Sequence, residues 1–186
     1  IVPALGAKTV EAVSAALEKP EVADARDVLR DWSKAGARVA GACTATFAWI
    51  TRPPRWPMNR GAQLTLGHVG DSRAYFWTHD GALRRLTQDH QLPPPDDHVL
   101  SNCIGGGFTT SVWSASVTVT EPGVLLLCTD GLTKQVTDDA LVRIFGAAAG
   151  LDDGVTRAVR AAEAWPESDN VTLVAMRINP AAPFPL

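Results

Sequence analysis

Residues 7–19 place Val10, Val13 and Leu17 at helical spacing among alanines, and Pro20 ends that pattern and is suited to open the next helix. Over 21–40 a second apolar stripe, Val22, Ala25, Val28, Leu29, Trp32 and Val39, stands against the charged Glu21, Asp24, Arg26 and Asp27. Two amphipathic helices are predicted here. The pattern then changes to short runs rich in β-formers. Cys43–Ile50 reads as a buried strand, and Leu64–Val69 and Ser72–Thr78 as two more around Gly70-Asp71. Leu83–Thr87 is the return strand after a hairpin turn at His79-Asp80-Gly81. Arg52–Gly61, with three prolines, reads as a loop.

Residues 88–98 are polar and proline-rich, and Val99–Ile104 predicts a short helical turn ended by Gly105-Gly106-Gly107. Thr110–Val119 and Val124–Asp130 predict two antiparallel strands around Glu121-Pro122-Gly123. Thr137 is a candidate N-cap, followed by Asp138 and Asp139, for a helix over Ala140–Phe145. Residues 152–165 predict another, with Val155, Val159 and Ala162 on one face. Asn170–Ile178 is the final strand, and 179–186 an irregular tail. Strands that follow one another through short turns, with helices segregated from them, predict α+β architecture with antiparallel pairing. No repeat or linker divides the chain, so residues 1–186 are expected to form one domain.

Composition narrows the function. At 186 residues, 20% charged and net charge −3, the chain is long enough for one domain with a sizeable core. A pI near 5.8 argues against nucleic acid as the main partner, because that role needs a basic stripe. The longest strongly apolar run, Val124–Cys128, is far short of a membrane helix, and no signal peptide is visible. Cys43, Cys103 and Cys128 are odd in number and widely spaced, which fits reduced, buried thiols and a cytoplasmic location.

Three segments break the apolar pattern in the same manner: Gly70-Asp71-Ser72-Arg73, Thr129-Asp130-Gly131 and Ser168-Asp169-Asn170. Each sets an aspartate beside a strand end. Carboxylates gathered at one sheet rim repel unless a cation or a proton compensates them. Oxygen-only donors suit Mg²⁺ or Mn²⁺, and a metal pair would acidify water and clamp a phosphoryl oxygen. The plainer reading is that aspartates beside Gly or Asn are turn residues. Among the other candidates, Arg73 shares a strand face with Tyr75 and reads as a structural residue held by a carboxylate. His90 reads as a loop anchor, His68 as a sheet residue, and Cys128 as an inert core thiol. The six tryptophans read most simply as core and edge packing, with Trp77 and Trp113, on strands, having the option of facing solvent or a partner.

The run Gly67-His68-Val69-Gly70-Asp71-Ser72-Arg73-Ala74-Tyr75, followed by Asp80-Gly81 and Leu86-Thr87-Gln88-Asp89-His90, resembles the central signature of the metal-dependent protein serine/threonine phosphatases, type 2C or PPM. Val99–Gly105, Leu125–Thr133 and Ser168–Val174 resemble that family's later segments, in the family's order, so the resemblance covers residues 41–178. It implies an antiparallel β-sandwich flanked by helices in four layers, with metals at one end between the sheets. By position, Asp130 and Asp169 correspond to C-terminal ligands of a dinuclear Mn²⁺/Mg²⁺ centre, and Asp71 to a ligand of an additional, weaker metal shared with Asp130. The implied nucleophile is a metal-bound water, so no side chain beyond the metal ligands is expected to be catalytic. The implied substrates are phosphoserine and phosphothreonine proteins, with a cognate Ser/Thr kinase as a candidate partner.

Two departures qualify this. The family begins with a strand bearing an Arg and acidic residues, then an Asp-Gly-Met-Gly-Gly-His motif; residues 1–40 match neither. The expectation is a domain lacking its N-terminal strands, its bridging aspartate and its phosphate-gripping arginine. The chain opens at Ile1 and not Met, which fits a preceding segment. The family's flap is also shortened, to Gln91–His98. The alanine-rich composition and the lack of appended segments suggest a bacterial source. The chain alone is expected to be inactive or weak; the alternative is a non-catalytic pseudophosphatase acting as a regulatory binding module.

Overall fold

The computed structural model describes residues 42–51, 61–96, 98–105, 110–166 and 169–180. The two helices expected over 7–40 and the loop at 52–60 lie outside the described residues. In chain order the elements are β1 (Ala42–Cys43), β2 (Ala45–Thr51), β3 (Ala62–Val69), β4 (Arg73–Thr78), β5 (Leu83–Arg85), β6 (Ile104–Gly105), β7 (Trp113–Val119) and β8 (Gly123–Cys128). Then follow α1 (Asp130–Thr133), α2 (Asp138–Ala147), α3 (Leu151–Glu163) and β9 (Leu173–Ile178). Strands of this kind with helices kept apart from them make an α+β fold, as the sequence pattern predicts. The sheets have strand orders β1-β6, β2-β3-β7 and β5-β4-β8-β9.

The chain forms two compact units interleaved in sequence. The first is Ile1–Trp49, Thr65–Asp71 and Asp89–Ser116. Its core packs Val69 and Ile104 with Cys43, Ala45, Phe47 and Val112. The second is Ile50–Leu64, Ser72–Gln88 and Val117–Leu186. Here β8 pairs antiparallel with β4 on one side and β9 on the other, through all six of its residues. A strand paired on both edges and covered on both faces must be apolar at successive positions, which is what Gly-Val-Leu-Leu-Leu-Cys provides.

The helices cover one face of this sheet. Tyr75, Val124, Leu126 and Cys128 meet Leu132, Val136, Leu141, Phe145, Ala158 and Ala162 in a single core. Leu141 and Phe145 are four apart on α2, so they share its buried face. Of the face expected on α3, Ala162 lies in the buried stripe, Val155 packs against the core from its flank, and Val159 is half-buried; the stripe itself is Gly154, Ala158 and Ala162. Small residues are required there because the Phe145 ring lies against Gly154, 2.7 Å from where a Cβ would sit. Thr137 caps α2 as expected, accepting the Ala140 N–H at 3.3 Å.

Two other expectations change. Val99–Ile104 is not a helical turn: Leu100 bridges Gln91, and Ile104 pairs with Cys43. The strand expected to reach Asp130 stops at Cys128, because Thr129 turns the backbone into α1. Trp77, half-buried, packs on the helix core with its ring 5.7 Å from that of Phe145, as core packing of the tryptophans predicts.

Tyr75 ties β4 to α2. Fully buried, it accepts from Arg73 Nη1 at 3.1 Å and donates to Asp138 Oδ1 at 2.9 Å. Burial holds its hydroxyl far above the ordinary phenol range, so it stays a donor. Arg73 and Tyr75 share a face, as alternation predicts, and the hydroxyl relays the arginine to a carboxylate. We expect Tyr75→Phe to lower stability by about 1–3 kcal/mol while keeping the fold, as read by urea denaturation and near-UV circular dichroism.

Candidate metal centre

The backbone segments that carry Asp130 and Asp169 are held side by side by the way β8 ends. Thr129 follows the last strand residue, and its hydroxyl does not cap α1. It donates to the Asn170 carbonyl at 3.2 Å and accepts the Thr172 N–H at 3.0 Å, while the Thr129 N–H donates to the Thr172 carbonyl at 3.1 Å. These bonds clip the exit of β8 to the approach of β9. Gly131 completes the approach: a Cβ there would lie 2.5 Å from the Asn170 carbonyl oxygen and 3.2 Å from that of Asp169. Only a residue without a side chain lets the first turn of α1 sit against that backbone. Asp130 therefore opens a helix beside the loop that carries Asp169.

Asp130 Oδ2 pairs with Lys134 Nζ at 2.5 Å, one helical turn on, with the two side chains 26% and 50% exposed. Asp169 Oδ1 accepts the N–H of Asn170 at 2.7 Å. Each is a carboxylate at the surface, the kind of oxygen donor that hard divalent cations take. Among the described residues, no three His, Cys, Asp or Glu side chains gather as a metal cluster.

Asp71 is placed in the first unit, at the turn after β3, and is buried. Gly70 precedes it with φ +108°, and a Cβ at Gly70 would lie 2.2 Å from Thr44 Cγ2. His90 holds this turn, accepting the Gly70 N–H on Nδ1 at 3.0 Å and donating its own N–H to the Gly70 carbonyl at 2.8 Å. The loop-anchor reading of His90 stands. Gln91 Nε2 donates to Asp71 Oδ2 at 3.2 Å. His68, fully buried, bonds Thr46 Oγ1 at 2.8 Å and stacks on His90 at 4.8 Å, a satisfied sheet residue.

Sequence reasoning passed over Lys134 and Gln91. The Asp130/Lys134 spacing of four was visible, but it carries meaning only on a helix, and Asp-Gly reads as a turn. Nothing in the sequence links Gln91 to a residue twenty positions earlier. Cys128 is buried, and burial pushes the Cys43 and Cys103 thiols up, which does not favour a nucleophilic thiol. A cavity of about 350 Å³ lies at the other end of β4, β8 and β9, lined by Trp77, His79, Gly123, Val124, Arg177 and Asn179 among others. Strand register separates it from Thr129 and Asp169.

No protein-family model matches the chain. Among curated proteins, it is 26% identical over 134 residues to the serine/threonine phosphatase Stp of Listeria innocua, covering 63% of this chain and 53% of that one. It is 31% identical over 122 residues to a protein phosphatase 2C-type of Streptococcus pyogenes, covering 57% and 49%. The chain spans about half the length of these relatives. In fold, it resembles the Mycobacterium tuberculosis serine/threonine phosphatase PstP/Ppp with a TM-score of 0.66, at 20% identity over 94% of this chain and 83% of that one. The PstP catalytic domain solved with two manganese ions gives 0.69, at 20% identity over 95% and 81%. The chain is thus similar in sequence to bacterial protein serine/threonine phosphatases, one of them of the 2C type, and shares its fold with solved phosphatases of this kind.

His90 also sets a pH dependence. Its Nδ1 accepts two donors, Gly70 N–H and Asn102 Nδ2, so the ring is neutral and protonated on Nε2. Burial lowers its pKa below 6.5, with Asp89 opposing. The unfolded chain therefore takes up this proton first as pH falls. The contribution is whole above the unfolded value, declines below it, and is lost by the folded value. Urea midpoints between pH 7.5 and 5.5 should fall, and His90→Asn should flatten that slope.

Proposed function

We propose that this chain contributes to the metal-dependent hydrolysis of phosphoserine and phosphothreonine in proteins, as the later part of a PPM phosphatase domain acting in the cytoplasm. The observation that carries this reading is the clip that sets Asp130 beside the Asp169 loop. In it Asp130 and Asp169 hold Mn²⁺ or Mg²⁺, and Asp71 serves an additional ion, so that two or more ions are bound in the complete domain. A bound divalent ion would supply Lewis acidity toward a phosphoryl oxygen and acidify water. The chain's own residues bind and orient: Thr129 fixes the two carboxylate segments, and Lys134 offsets the charge of Asp130. A cognate Ser/Thr kinase is the natural counterpart of such an activity.

A second reading, a pseudophosphatase binding module, is favoured by the lack of a three-ligand cluster among the described residues. The two aspartates then bind a cation weakly and no hydrolysis follows. The comparison is manganese-dependent turnover of a phosphothreonine peptide by residues 1–186 and by a chain extended with its natural upstream sequence. We expect little or no turnover from the first and clear turnover from the second. Robust turnover from residues 1–186 would sink the claim of an incomplete site, and an inert extended chain would support the binding module.

Asp130→Ala and Asp169→Ala should each abolish that turnover and weaken Mn²⁺ binding measured by calorimetry; if both keep activity and affinity, the assignment is wrong. Lys134→Ala removes an ammonium that competes for Asp130. It should raise Mn²⁺ affinity by about fivefold or less, since exposed ion pairs of this kind are weak.

A further inference from the structure

We propose that His90 and Gln91 are positioning residues for Asp71: His90 fixes the Gly70–Asp71 turn, and Gln91 sets the carboxylate. The inference builds on the reading of Asp71 as a cation ligand. A left-handed glycine immediately before a ligand is a soft point, because glycine has more backbone freedom to lose than any other residue. Two bonds from one residue remove that freedom. The Gly70 N–H donates to His90 Nδ1 at 3.0 Å, and the His90 N–H donates to the Gly70 carbonyl at 2.8 Å. This is a reciprocal pair like a sheet rung, with an imidazole nitrogen in place of one carbonyl.

His90 is itself held rigidly enough to serve as that support. Asn102 Nδ2 donates to the same Nδ1 at 3.1 Å and to the Ser111 carbonyl at 2.6 Å, and Asn102 Oδ1 accepts the Ser111 N–H at 3.0 Å. The Ser101 N–H donates to the His90 carbonyl at 2.9 Å. The imidazole stacks on His68, which is sealed from solvent and meets Trp113 edge-on at 6.3 Å. The next residue, Gln91, has its backbone fixed by the bridge to Leu100 and its amide on Asp71 Oδ2 at 3.2 Å. One short stretch thus controls both the backbone that presents Asp71 and one oxygen of its carboxylate. A purely structural brace would need only the first of these. Losing a group that orients a ligand from behind typically costs roughly ten- to a hundredfold in metal affinity.

The test uses the full chain with His90→Asn, His90→Gln and Gln91→Ala. Asparagine places its amide oxygen near the Nδ1 position; glutamine places it near Nε2. Three readouts apply: hydrogen exchange of the Gly70 amide, the χ1 couplings of Asp71 by NMR, and Mn²⁺ titration by calorimetry. We expect His90→Gln to speed Gly70 exchange about tenfold, and His90→Asn to leave it within about threefold. Gln91→Ala should leave Gly70 unchanged but average the Asp71 rotamers. Both His90→Gln and Gln91→Ala should weaken Mn²⁺ binding about tenfold. Equal exchange in the Asn and Gln variants, or an Asp71 rotamer indifferent to Gln91, overturns the proposal. If the NMR readouts respond and Mn²⁺ affinity does not, the positioning stands and the reading of Asp71 as a ligand fails.

Discussion

The second unit depends on a single strand. β8 is hydrogen-bonded along both edges and apolar through its length, so its register against β4 and β9 is fixed by burial as well as by the ladder. A slip of one residue would turn Val124, Leu126 and Cys128 away from the helix core and expose them. Once that register is set, the position of everything at its end follows. Thr129 can reach Asn170 and Thr172 only because Cys128 stands opposite Leu173.

The carboxylates are therefore carried on rigid parts, though they sit at loop ends. Asp130 starts a helix whose Leu132 is fully buried, and Gly131 lets that helix lie against the Asp169–Asn170 backbone. The first unit solves a similar problem differently. There, a glycine with positive φ makes the turn before Asp71, and a histidine from a segment twenty residues on braces it. In both units a glycine permits the close approach and a hydrogen-bonding side chain locks it, which is an economical way to hold charge at the edge of a sheet.

Much of the architecture is legible along the chain. The apolar run of β8, the alternation of β4, the Asp80-Gly81 turn with Gly81 at φ +86°, and the Thr137 cap are local signals that local physics obeys. The misreadings share one cause. Val99–Ile104 has a composition compatible with a helical turn, but its partners are Gln91 and Cys43, supplied from far along the chain. On α3 the expected Val155 and Ala162 do pack on the core, but hydrophobicity gives no sign that Gly154 and Ala158 are its other buried positions. Phe145 instead selects the smallest residues to lie against.

The same division applies to the site. The sequence by itself determined which residues carry the charge, namely Asp71, Asp130 and Asp169, and that each stands beside a strand end. It also carries the resemblance to the phosphatases, because the motifs that hold these aspartates keep their order along the chain. Only the tertiary structure decided which groups surround them: Lys134 on Asp130, Gln91 on Asp71, and Thr129 bridging the ends of two strands. The reason is physical. A residue type and its neighbours fix a chemical capability and a local turn, whereas a hydrogen bond across twenty or forty positions exists only when packing has set the register that brings its two ends together.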